Sequence, residues 1–143
     1  MRRIAVATAL AVLVLVEAPI AASSEARRTA VVAAVLTGDT GVVNLEAHAS
    51  GQEELTGTGV GFHRDFRSRA NFVLKGRVEG ETLDLSGTVS KAGAPCLLGT
   101  AVTVVADTLT GAVSHTLGPI SCPGPFYGEV LTFQGAGRVV LTG

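Results

Sequence analysis

Between Asn71 and Ser90, apolar and polar side chains alternate on both sides of a Gly80-Glu81 dipeptide. A two-residue loop with glycine first is the type II′ hairpin signature. It sets Val78 opposite Leu83, Gly76 opposite Leu85, Leu74 opposite Gly87 and Phe72 opposite Val89 on an apolar face. The other face pairs Arg77 with Asp84, Lys75 with Ser86 and Val73 with Thr88. A slip of one residue would exchange the two faces, so the register is strongly specified.

Other segments repeat this two-residue period less cleanly. Ala30 to Leu36 predicts a first strand, although its alanines would also suit a short helix, with a turn over 37–41. In the segment Val42–Ala49, Val43, Leu45, Ala47 and Ala49 share one face; Asn44, Glu46 and His48 share the other. Leu55–Phe62 returns with glycine at alternate positions, and the expected register sets Ala49 opposite Leu55 and Ala47 opposite Gly57. Cys96 opens a strand running to Ala106, and Ala112–Ile120 comes back with Val105 opposite Val113 and Cys96 opposite Cys122. A slip of one residue pairs these valines almost as well. A last hairpin, Phe126–Gln134 with Arg138–Thr142, turns over Gly135-Ala136-Gly137.

The pattern predicts an all-β domain over 30–143, an antiparallel meander of about eight or nine short strands. A small closed barrel is expected, and a two-sheet sandwich is the alternative.

The N-terminus reads differently. Arg2 and Arg3 precede an apolar run from Ile4 to Val16, followed by Glu17, Pro19 and small residues to Ala22. This is the layout of a cleavable signal peptide over 1–22, with a polar leader over 23–29. The run is too short to cross a ~30 Å hydrocarbon core as a helix, so no stable membrane span is expected after cleavage. A lipid-embedded barrel fits poorly as well, because the polar faces carry Thr, Ser and charge. Export favours joining the two cysteines, Cys96 and Cys122, in a disulfide. Neither has the closely spaced ligand-type neighbours of a metal site.

Composition narrows the function classes. Of 143 residues, five are Phe, one is Tyr and none is Trp, so stacking platforms for sugars or single-stranded nucleic acid are scarce. A formal charge of −1 supplies no basic field for phosphates, and no nucleic-acid partner is expected.

The candidate site is the dense charged segment His63, Arg64, Asp65, Arg67 and Arg69. An imidazole and a carboxylate among guanidiniums suit anion binding or proton transfer, but the same segment serves equally as a solvated connection. His48 and His115 stand alone on polar or mixed faces, as surface or barrel-mouth residues. No nucleophile elbow, P-loop, calcium loop or zinc-helix motif occurs, so neither a catalytic set nor a cofactor is assigned. The expectation is an exported, non-enzymatic domain binding a protein partner or a small apolar ligand. The alternatives are a small histidine-based enzyme at a barrel mouth and a subunit that self-associates through strand edges.

Overall fold

The computed structural model describes residues 27–38 and 40–143. The expected signal peptide and the leader up to residue 26 lie outside the described residues. Among the described residues, eight antiparallel strands close into a barrel in sequence order. They are β1 (Arg28–Gly38), β2 (Gly41–Gly51), β3 (Leu55–His63), β4 (Ser68–Glu79), β5 (Thr82–Ala92), β6 (Ala101–Asp107), β7 (Ala112–Leu117) and β8 (Leu131–Thr142). Closure comes from β1 pairing with β8, Thr29 against Thr142 through Gly38 against Phe133.

The β4–β5 hairpin has the predicted register, from Val78 opposite Leu83 to Phe72 opposite Val89. Gly80 takes the positive φ that a glycine-first turn requires. The ladder shifts beyond Phe72, and Ser90 bridges the irregularity by donating its hydroxyl to the Asn71 carbonyl.

Three other registers correct the sequence reading. Gly51 stays in β2 and pairs with Leu55, so Ala49 meets Gly57 and Ala47 meets Gly59. The faces survive because the offset is even. On β6 and β7, Ala106 rather than Val105 opposes Val113, and Val104 opposes His115. Valine occurs in both phases of this segment, Val102 and Val104 in one and Val105 in the other, so the valines alone do not set the register. The third correction is the last hairpin, which does not exist: Leu131–Thr142 is one strand, and 126–130 carries none. Gly135 and Gly137 mark close approach instead of a turn, since a Cβ on Gly135 would lie 2.9 Å from the Val35 carbonyl oxygen and one on Gly137 would collide with Ala33 and Ala34.

Alternation then sorts the side chains. The inward set includes Val32, Leu36, Leu45, Leu55, Leu83, Leu85, Val104, Leu117 and Leu131, all buried. Exposed Glu46, Lys75, Asp84 and Arg138 stand on the outside of the wall. This is apolar-in and polar-out, the reverse of a barrel whose wall meets lipid.

The two barrel ends differ. One carries short turns, among them Asp107, whose carboxylate accepts from the backbone N–H groups of Leu109 and Thr110. Those bonds hold its pKa below the usual carboxylate value. The other end carries the 3₁₀ turns Arg64–Phe66 and Pro95–Leu97 and the long β7–β8 connection. Here Cys96 and Cys122 form the disulfide, with Cα atoms 5.1 Å apart. It joins two loops, because Cys96 sits in the 3₁₀ turn and not in a strand.

Candidate functional site

The segment singled out from the sequence divides at the barrel wall. His63 continues the inward phase of Leu55, Gly57, Gly59 and Gly61 and is fully buried. Arg64 and Arg67 are exposed around the 3₁₀ turn that contains Asp65, and Arg69 is exposed on the outer face of β4. The imidazole and the guanidiniums therefore face opposite sides. His48 lies outside, exposed on β2.

His63 instead meets a residue that the sequence reading placed at the surface. His115 follows Val113 and precedes Leu117 on the inward phase of β7, and is also fully buried. The Nε2 atoms of His63 and His115 are 2.9 Å apart, although the residues are 52 apart in sequence. Strands β3 and β7 stand on opposite sides of an eight-strand ring, so the two rings meet across the interior.

Phe72 and Phe133 complete the cluster. His63 packs edge-on against both, with ring centroids 6.2 and 5.8 Å away. His115 stacks on Phe133 at 5.7 Å and leans on Phe72 at 5.6 Å. Glycines on β3 make the room: a Cβ on Gly59 would lie 3.1 Å from the Phe72 ring, and one on Gly61 would lie 2.9 Å from Cε1 of His63.

The hydrogen bonds fix the proton positions. Nδ1 of His115 lies 3.0 Å from the backbone carbonyl of Thr103, which can only accept, so this nitrogen carries the proton. Nε2 of His115 is then the acceptor, and His63 donates to it from its own Nε2. That leaves Nδ1 of His63 as a buried lone pair without a partner. The Gly61 carbonyl is near enough to favour a charged His63 ring, but it makes no hydrogen bond to Nδ1.

Both rings are held neutral. Burial, and then the proximity of His115, lower the His63 pKa to about 3. Burial lowers that of His115 to about 4, opposed by the Thr103 carbonyl. Chemically, the pair is a proton-donor and lone-pair couple sealed from solvent.

A second feature lies at the disulfide-joined end. Phe66 packs edge-to-face on Phe126 at 6.0 Å, and Leu97 and Ile120 are buried beneath the loops. The same two loops expose Leu98 (53%), Tyr127 (67%) and Val130 (53%).

No protein-family model, curated protein or solved structure matches this chain.

Proposed function

We propose that this chain is an exported, non-enzymatic barrel domain that engages a partner protein through its disulfide-joined loop end. The observation carrying this reading is that Leu98, Tyr127 and Val130 are exposed on the two loops tied by Cys96–Cys122. A rigid scaffold presenting loops is a common arrangement for binding, and aromatic residues are enriched at protein interfaces. The disulfide is compatible with export through the signal peptide expected over 1–22.

The packed interior favours this outer surface over an enclosed apolar ligand, since the centre is filled by His63, Phe72, His115 and Phe133. Full burial of both imidazoles weighs against the enzyme reading, because a substrate has to come within hydrogen-bond reach of the base. The closed ring offers no free strand edge, which favours a loop-mediated partner over edge-to-edge pairing of copies.

The test compares three loop changes with three wall changes. Cross-linking to the extracellular components of producing cells should recover a partner with the wild-type protein. Leu98→Ser with Tyr127→Ser and Val130→Ser should lose it. Changing the exposed wall residues Val35, Phe62 and Val73 to Ser should retain it. Retention by the loop variant, with loss by the wall variant, would move the binding surface to the barrel wall.

A further inference from the structure

The four-ring cluster contains a polar conflict. With Nδ1–H of His115 committed to Thr103, His63 donates from Nε2 and buries a bare Nδ1 lone pair. The backbone group near this ring, the Gly61 carbonyl, is itself an acceptor and cannot satisfy a lone pair. A cation between the two Nε2 atoms resolves the conflict. Both rings then hold their remaining proton on Nδ1: His115 keeps its bond to Thr103, and the His63 proton passes to Nδ1, which has no partner in the present geometry and would have to turn toward the Gly61 carbonyl to donate. Such outer hydrogen bonds are what orient imidazoles as metal ligands.

We propose that His63 and His115 form a two-coordinate site for a soft monovalent d¹⁰ metal ion of the Cu(I) or Ag(I) class, held between their Nε2 atoms. Several features select this class. Among the described residues, no group of three or more His, Cys, Asp or Glu comes together, so the pair has no third ligand of those types there. A divalent ion in this apolar interior would bring two charges with no carboxylate or thiolate to balance them. Imidazole is a suitable ligand for copper. The rings of Phe72 and Phe133 pack against both imidazoles, and all four side chains are buried, so an ion held there is shielded from water.

The competing cation is a proton, and burial disfavours it, leaving both rings neutral at neutral pH. Two metal–nitrogen bonds of ~2.0 Å in line would place the nitrogens about 4 Å apart, roughly 1 Å wider than their present 2.9 Å. His63 is the last residue of β3, so the widening falls at a strand terminus beside a single 3₁₀ turn.

The test uses metal-free protein with the disulfide intact, so no free thiol competes among the described residues. Ag(I) is added to the folded protein and, in parallel, during refolding from urea, so that entry into the closed barrel does not limit uptake. Imidazole ¹⁵N NMR and thermal unfolding are recorded on both samples. The expected result is one Ag(I) per chain, a raised melting temperature, both Nε2 resonances shifted and both Nδ1 atoms protonated. His63→Gln and His115→Gln should each abolish uptake, while His48→Gln should retain it. No uptake by either route, uptake that leaves the Nε2 resonances unmoved, or undiminished uptake by His63→Gln would overturn the proposal. If the glutamine variants do not fold, the wild-type ¹⁵N spectra decide it alone.

Discussion

Two regions of the interior use different physics. Leu83, Ala106 and Val113 lie side by side across β5, β6 and β7 and are buried without any polar obligation. They contribute by leaving water and filling volume. His63, Phe72, His115 and Phe133 fill volume too, but two of these rings must also place a proton and a lone pair. The aliphatic row is indifferent to pH and to tautomer. The ring cluster is not, so the two regions differ in how strongly they respond to pH and to substitution.

Acid separates them most widely. His63 and His115 each have a folded pKa below the unfolded value of 6.5, so the unfolded chain binds more protons as pH falls. Their contribution is complete above about pH 6.5 and is lost as pH falls towards 4 and then 3. With two protons taken up on unfolding, the slope approaches roughly 3 kcal/mol per pH unit, on the order of 5 kcal/mol by pH 4. Urea denaturation between pH 7 and 4 should show this fall. In the His63→Leu/His115→Leu protein it should be nearly flat over the same range. Asp107 titrates in a lower window, below the usual carboxylate value, and should leave this comparison unchanged.

Truncation comes next. Phe133→Ala and Phe72→Ala each open a cavity beside the imidazoles and should cost ~3–5 kcal/mol by urea denaturation. Val113→Ala, in the aliphatic row, removes less volume and should cost less. A Phe133→Ala cost no larger than that of Val113→Ala would mean that the ring cluster is not a packed unit. Reduction of Cys96–Cys122, separated by 26 residues, should lower stability by ~3 kcal/mol in the chain-entropy model. It should loosen the loop end before the turn end, measurable as faster amide exchange at Leu97 and Ile120 than at Leu83. The smallest effect is expected outside the wall: Arg77→Ala, opposite Asp84, should cost under ~1 kcal/mol.

The same division explains what the sequence makes legible. The β4–β5 hairpin is readable residue by residue because a two-residue turn pins its register and both faces are unambiguous. The β2–β3 pairing is offset because Gly51 suits either a loop or a strand. Gly135-Ala136-Gly137 reads as a turn because glycine serves turns and close packing alike. His63 carries a readable sign, its phase with Leu55 and the glycines of β3, masked by the arginines that follow. His115 carries a sign of the same kind, its phase with Val113 and Leu117 against Ser114 and Thr116, but it has no polar neighbour that would mark it as half of a pair. No local motif can join two histidines 52 residues apart, since only closure of the ring sets them opposite each other.

The central claim is a neutral pair with fixed tautomers, sealed inside the barrel. Imidazole ¹⁵N NMR on the metal-free protein from pH 8 to 5 tests it directly. His115 should stay protonated on Nδ1 and His63 on Nε2, with neither titrating over this range. Titration of His63 and His115 near the ordinary histidine value, or identical tautomers on the two rings, would contradict it.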